Sequence, residues 1–226
     1  MNIAIDGPSG SGKSTLARNL AKRFGLVYID TGALYRTVGL HVRNLDISSD
    51  DREGIIESLK TINIKMTLEN GGNAVYLNGK KVGDEIRTPV ASVYASQVSK
   101  IPEVRRFLLD IQRETAKHND CVMDGRDIGT VILPEADVKI FLYATDEDRA
   151  LRRYNELIQK GEKVTLEEIN RDMIWRDQND KNRNIAPAVP APDAIILNNS
   201  GFEENQTLEK AAEIIEEALN KRNQGI

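Results

Sequence analysis

Eight residues near the start of the chain, Gly7-Pro8-Ser9-Gly10-Ser11-Gly12-Lys13-Ser14, have the spacing G-x-x-x-x-G-K-[ST], and Thr15 follows them. The apolar run Ile3 to Ile5 precedes them, and Leu16, Leu20 and Phe24 recur behind them at helical spacing, with Gly25 placed to cap. The motif therefore sits between a strand and an amphipathic helix, the setting that gives it meaning. Glycines let main-chain N–H groups turn inward around phosphate oxygens, and the following helix presents its positive end to the same anion. Gly7 to Thr15 are the expected triphosphate-binding residues, with Lys13 reaching the β and γ phosphates. The Ser14 hydroxyl suits a Mg²⁺ ion that arrives with the nucleotide, since a hard ion retaining several waters needs few protein ligands. Asp6, at the strand end, either orders this loop or merely caps it.

A phosphate loop alone does not separate a motor, a switch, a transporter subunit and a small-molecule kinase. Two further segments bear on the choice. Asp30-Thr31-Gly32-Ala33-Leu34-Tyr35-Arg36 follows the apolar run Leu26 to Ile29 and opens a helix. Asp124-Gly125-Arg126-Asp127 follows the run Cys121 to Met123, at the carboxyl edge where open α/β sheets bind ligands. Each alone is compatible with an ordinary capped turn. Together with Arg105, Arg176 and Arg183 they supply several guanidinium groups, which clamp phosphate oxygens bidentately.

The elements that must position these residues are short apolar runs, the three above plus Ile140 to Tyr143 and Ala194 to Leu197, separated by helical patterns. Buried parallel strands have this character, and the alternation predicts an α/β layered fold. From Ile62 to Ile86 the pattern changes to short alternating strands with Gly71-Gly72 and Asn78-Gly79 as turn signals, which predicts a small antiparallel meander inserted in the frame. From Thr145 to Arg183 the chain is charged and helical, with Thr145/Asp148 and Thr165/Glu168 in capping-box spacing. Trp175 in that segment is expected to pack. Ala186 to Pro192 forms a proline-rich connector to the last core strand, and Asn220 to Ile226 is expected to fray.

Composition narrows the class. Of 226 residues, 40% are hydrophobic and 29% charged, enough for a core, with no apolar run near the roughly 20 residues of a membrane span. The net charge of −4 and only 5% aromatic residues disfavour a nucleic-acid partner. Met1 leads into Ile3-Ala4-Ile5 without a basic segment and a long apolar core, so no signal peptide is expected. The single cysteine, Cys121, excludes an internal disulfide, fits a reducing compartment and reads as a small buried hydrophobe. The two histidines, His41 and His118, cannot build a histidine-rich metal centre. A guanine-nucleotide switch is disfavoured because Asn179-Asp180-Lys181-Asn182 lacks the N-K-x-D order.

These residues resemble the bacterial cytidylate kinases, nucleoside monophosphate kinases that convert CMP and dCMP to diphosphates with ATP. The resemblance is carried by IDGPSGSGKST at Ile5 to Thr15, DTGALYR at Asp30 to Arg36, GDEIRTPVAS from Gly83 and ASQVSKIPEVR at Ala95 to Arg105. DGRDIGTV at Asp124 to Val131 and NRNIAPAVPAPDA at Asn182 to Ala194 complete it. It implies a P-loop NTPase-type three-layer α/β fold: a core of 1–30, 101–144 and 190–226 with a central parallel sheet, an acceptor-binding subdomain over 31–100 containing the antiparallel meander, and a helical lid and connector over 145–189. By resemblance, Ser96, Arg105 and Asp127 face the cytosine ring, Thr31, Arg36 and Arg126 hold the acceptor phosphate, and Arg176, Asp180 and Arg183 approach the ribose or phosphate. Lys13, Arg126 and Arg183 are then the catalytic set. ATP and CMP or dCMP are the implied partners, with Mg²⁺ entering alongside ATP, and a cytoplasmic monomer without nucleic-acid or membrane partners is expected. Independently of the resemblance, a carboxylate at Asp127 would reward the N4 amino donor of cytosine and leave an unpaired acceptor against uracil O4.

Overall fold

The computed structural model describes residues 1–69, 72–159 and 161–223. In chain order its first elements are β1 (Asn2–Asp6), α1 (Lys13–Phe24), β2 (Val27–Asp30), α2 (Thr31–Asn44), α3 (Arg52–Ser58), β3 (Ile64–Glu69), β4 (Gly72–Leu77) and β5 (Lys80–Lys81). A 3₁₀ turn, Asp84–Arg87, leads to α4 (Pro89–Val98), α5 (Pro102–Lys117) and β6 (Cys121–Gly125). A π-helical turn, Ile128–Ile132, precedes β7 (Val138–Tyr143), α6 (Asp146–Gln159), α7 (Leu166–Asn182), β8 (Ile195–Asn198) and α8 (Glu204–Asn223). Two compact units emerge, one of Met1–Gly25 with Val122–Ile226 and one of Leu26–Cys121.

In the first unit the strands run in the order β6-β1-β7-β8, with β1 and β7 parallel through Ile3 opposite Val138, and β7 and β8 parallel through Ile140 opposite Ile195. The apolar runs of β1 and β7 are buried on both faces, as expected of parallel strands covered by helices. β8 departs from that expectation. As the last strand in the order it leaves Ile195 43% and Ile196 55% exposed, and Leu197 alone of its apolar residues is buried. α1 begins at Gly12, whose carbonyl accepts the Leu16 N–H at 2.9 Å, and ends at Gly25, in the left-handed region at φ 67° with its N–H donated to the Ala21 carbonyl. Leu16, Ala17, Leu20 and Ala21 form its buried face. α8 buries Ala211, Ala212 and Ile215, and it continues through Asn220 to Asn223, so the start of the expected frayed tail is helical while 224–226 lie outside the described residues.

The expected helical segment of the first unit is the pair α6 and α7, joined by Ala150, Leu157, Ile169 and Met173 with Tyr154 and Val164 packed against them. The Thr165 hydroxyl accepts the Glu168 N–H while the Glu168 carboxylate accepts the Thr165 N–H, a complete capping box. Trp175 is 44% exposed on α7, so the packing role expected for it is not borne out.

In the second unit β3 and β4 pair antiparallel from Ile64 opposite Leu77 to Glu69 opposite Gly72, and β4 pairs antiparallel with β5. Asn78 at φ 49° and Gly79 at φ 83° make the two-residue turn that the Asn-Gly pair predicts. Gly71 of the other expected turn lies outside the described residues. β4 also pairs parallel with β2, Tyr28 opposite Gly72, so the meander continues that unit's sheet. Leu34, Val38 and Val42 of α2, Ile55 of α3, Val75 and Leu77 of β4, and Val104 and Leu108 of α5 build its core. His41 is buried there against the Ser58 carbonyl at 3.1 Å, and His118 meets Glu114 on the surface. Cys121 is buried, and burial pushes its thiol up to about 12, as suits a small hydrophobe. No helix among the described residues is long and apolar enough to cross a membrane.

Candidate active site

In the first unit the phosphate loop bridges β1 and α1. Gly7 has φ 149°, and a Cβ there would lie 2.1 Å from the Leu142 carbonyl oxygen of β7, so only glycine lets the loop leave the strand at this point. Gly10 and Gly12 hold left-handed conformations at φ 71° and 89°. Lys13 lies at the start of α1 with its Nζ donating to the Pro8 carbonyl at 2.6 Å, folded back across the loop it serves. Burial pushes its ammonium down to about 7, with the Arg126 guanidinium adding to the effect and the Asp124, Asp177 and Asp6 carboxylates opposing it. A bound polyanion would relieve that burial cost by supplying the missing opposite charge.

The Ser14 hydroxyl donates to Asp124 Oδ2 at 2.7 Å. Serine oxygen and carboxylate are the hard donors Mg²⁺ takes, and the pair stands beside the residue that would meet the β and γ phosphates. Asp124 comes from the end of β6, within the D-G-R-D segment noted in the sequence, but its partnership with Ser14 spans 110 residues and has no local signature.

Next to Asp124 the same segment turns sharply. Asp6 of β1 is 3% exposed, its Oδ1 accepting the Ile128 N–H and its Oδ2 the Gly129 N–H, each at 2.8 Å. Burial raises its carboxyl to about 6 despite those two amides, and the Asp127 carboxylate pushes in the same direction. Neither role expected of Asp6 at the phosphate loop is what these bonds show: both of its oxygens serve the turn that follows Asp127.

Arg126 and Asp127 meet residues at the C-terminal end of α7, Asp180 within it and Arg183 as its cap. Arg126 Nε donates to Asp180 Oδ2 at 3.0 Å, Arg183 Nη2 donates to Asp127 Oδ1 at 3.5 Å, and Arg183 Nη1 lies 3.8 Å from Asp180 Oδ1. Burial alone would lower the Arg126 guanidinium, yet the Asp180 and Asp177 carboxylates outweigh it and hold Arg126 above its ordinary value. Arg176, with less compensation, is pushed down by burial and by Arg126. Its Nε, and Nδ2 of Asn179, are buried without a hydrogen-bond partner among the described residues. Buried donors left over in this way suit an anionic ligand rich in acceptor oxygens.

Four side chains at this site carry no role in the sequence reading. Arg149 of α6 donates to the Ser9 carbonyl at 2.6 Å and pairs with Asp177 of α7, while Asp177 Oδ1 accepts the Ser9 N–H at 2.9 Å. Arg152 Nη2 donates to the Asn199 carbonyl at 2.8 Å, and Asn199 Nδ2 in turn donates to the Ser11 carbonyl at 3.1 Å. Arg149 and Arg152 stood in a charged helix without a pattern to separate them from solvated arginines, and Asp177 follows Arg176 without a motif of its own.

In the second unit Asp30 caps α2 by accepting the Ala33 N–H at 3.0 Å, and its other oxygen accepts from Arg36 Nη2 at 2.8 Å. Arg36 Nε is buried without a hydrogen-bond partner among the described residues, and Thr31 is buried at the first helical position. Ser96 and Arg105 are linked through Ser99 at the junction of α4 and α5. The Ser99 hydroxyl donates to the Ser96 carbonyl at 2.9 Å, and Arg105 Nη1 donates to the Ser99 carbonyl at 3.3 Å. The Arg105 guanidinium stands 5.5 Å above the Tyr35 ring, which orients its plane. The Ser96 hydroxyl is buried without a hydrogen-bond partner among the described residues. This unit therefore offers a buried hydroxyl and two oriented guanidinium groups.

A family model described as cytidylate kinase matches residues 3–217. The cytidylate kinase of Fervidobacterium nodosum is 48% identical over 215 residues, covering 95% of this chain and 96% of that protein. The cytidylate kinase of Thermosipho melanesiensis is 47% identical over 215 residues with the same shares of the two chains, 95% and 96%. An uncharacterized protein from Eubacterium ventriosum, known from its crystal structure, has a TM-score of 0.51 at 12% identity over 96% of this chain and 98% of that one, a likeness of fold. With the phosphate loop, the D-G-R-D turn and the α7 arginines all inside the matched range, the chain belongs to the cytidylate kinase family.

Proposed function

We propose that the chain transfers the γ-phosphoryl group of ATP to CMP or dCMP, giving ADP and CDP or dCDP. The observation that supports this most is the meeting of Arg126, Asp127, Asp180 and Arg183, with Arg176 close enough to feel the Arg126 and Asp180 charges, in the unit that carries the Lys13 phosphate loop.

In this reading Gly7 to Thr15 wrap the ATP phosphates and Lys13 bridges the β and γ groups. Ser14 would hold Mg²⁺ with Asp124 beside it; when bound, the ion neutralises charge on the phosphate oxygens. Thr31 and Arg36 take the acceptor phosphate together with Arg126. Ser96, Arg105 and Asp127 read the cytosine edge, Asp127 accepting from N4 and the arginine and serine donating to O2 and N3. Arg176, Asp180 and Arg183 contact ribose or phosphate, and Arg183 with Arg126 and Lys13 spreads compensating charge over the transferring group. The acceptor is a phosphate whose second pKa lies near about 6, so it is largely deprotonated at neutral pH and no general base is required. Alignment and charge neutralisation then account for the chemistry.

The working division is a core of 1–30, 101–144 and 190–226, an acceptor part of 31–100 and a lid of 145–189, in a monomer of the cytoplasm. A coupled ADP-release assay across nucleoside monophosphates tests the activity. CMP and dCMP should support turnover well ahead of UMP and AMP, and turnover that ignores the acceptor would reject the proposal.

A further inference from the structure

Asp6 is the last residue of β1 and directly precedes Gly7, the first residue of the phosphate loop. A helix start is capped by one acceptor oxygen, whereas Asp6 uses both oxygens on two consecutive amides, Ile128 and Gly129, which fixes the tilt of the turn as well as its distance. Those amides belong to the residues immediately after Arg126 and Asp127. Asp127 has φ −147° and ψ 30°, and its carbonyl accepts the N–H groups of both Val131 and Ile132, at 3.0 and 3.2 Å. Its main chain is thus tied to the turn that Asp6 holds. On the other side Gly129 abuts Lys139: a Cβ at this glycine would lie 3.1 Å from Lys139 Cδ, and Lys139 is itself pinned by Asp193 at 2.7 Å. A buried carboxylate among Ile3, Ala4 and Ile5 is costly, and a single geometric task explains its presence.

We infer that Asp6 is a positioning residue for phosphoryl transfer, which holds the loop carrying Arg126 and Asp127 in fixed register with the phosphate loop. The inference rests on the proposed acceptor roles of those two residues. Acceptor-side and donor-side groups would then be set from one strand end, and a small displacement of the turn would misalign the acceptor while leaving ATP binding in place.

Steady-state kinetics of the full chain with Asp6→Asn, Asp127→Asn and the double variant test it. Asparagine keeps the shape and loses one acceptor. Asp6→Asn should raise the KM for CMP about fivefold or more, lower kcat about tenfold and leave the KM for ATP within about twofold. Its CMP-over-UMP efficiency ratio should fall, and the double variant should lose no more of that ratio than Asp127→Asn alone. Equal effects on the two KM values, or a lowered melting temperature with normal kinetics, would overturn the inference. If Asp127→Asn leaves the base ratio unchanged, the reading of Asp127 fails, and Asp6 is still judged by its KM for CMP against its KM for ATP. Should Asp6→Asn not fold, Gly129→Ala displaces the same turn from the Lys139 side and must give the same split between the two KM values.

Discussion

Asp177 accepts the Ser9 main-chain N–H at 2.9 Å, so a carboxylate of α7 holds an amide of the phosphate loop. The link is doubled by Arg149, which donates to the Ser9 carbonyl and pairs with Asp177. Replacing Asp177 by alanine leaves the buried Arg149 side chain with Asp146 as its remaining ion-pair partner and releases the loop amide. Because Asp177 is partly exposed, the cost should be roughly 2 kcal/mol, below that of a fully buried pair. Urea denaturation should show a lower midpoint with an unchanged slope. A midpoint equal to wild type would mean that the link carries no stability.

Lys13→Ala should abolish phosphoryl transfer and leave the fold intact, because the loop is shaped by Gly7, Gly10 and Gly12 and not by the lysine. Removing a charge aimed at the transferring group costs about 3 kcal/mol or more, a loss of roughly a hundredfold or greater in kcat. Circular dichroism alongside single-turnover kinetics checks both halves. Near-normal turnover at saturating ATP would remove Lys13 from the mechanism.

Asp124→Asn should shift the Mg²⁺ dependence. With the amide in place of the carboxylate, the concentration needed for half-maximal activity should rise roughly tenfold, the scale on which groups beside a metal ligand act. Titrating Mg²⁺ at fixed ATP reads this directly. A shift in kcat with no shift in the Mg²⁺ midpoint would assign Asp124 to ordering Ser14 alone.

Burial raises the Asp6 carboxyl from its ordinary 3.8 to about 6, with Asp127 and Lys13 the charged groups that face it. A raised carboxyl favours the fold most below its unfolded value, and the advantage is lost as pH climbs through the folded value. Asp6→Asn lacks this titration. The melting-temperature deficit of the variant should therefore shrink between about pH 4 and about pH 7. An equal deficit at both ends would show that the carboxyl titrates normally.

Local patterns made much of this legible in advance. The phosphate loop is contiguous, the Asn78-Gly79 turn is a two-residue signal, and Thr165 with Glu168 caps α7 at a fixed spacing. Asp127, Asp180 and Arg183, which only the family resemblance assigns to one ligand, lie together. What escaped the sequence depends on long-range pairing. Ser14 finds Asp124 across 110 residues, and Arg149 finds Asp177 across 28, with no periodicity linking either pair. β8 has the apolar run of an interior strand, and only strand order reveals that it is the last one. Trp175 shows the converse: a large aromatic residue implies burial, yet its place on the outer face of α7 leaves nearly half of it in water.

The burial of Cys121 has a practical side. With the one native thiol inside the protein and pushed up to about 12, almost no thiolate is presented to alkylating reagents at neutral pH. The natural chain should take up no maleimide while folded, and full uptake should follow only on unfolding. The protein is in effect a ready-made background for site-selective labelling. Ile158→Cys, at a position 45% exposed on α6, would carry a single fluorophore on the helix pair without prior removal of any residue.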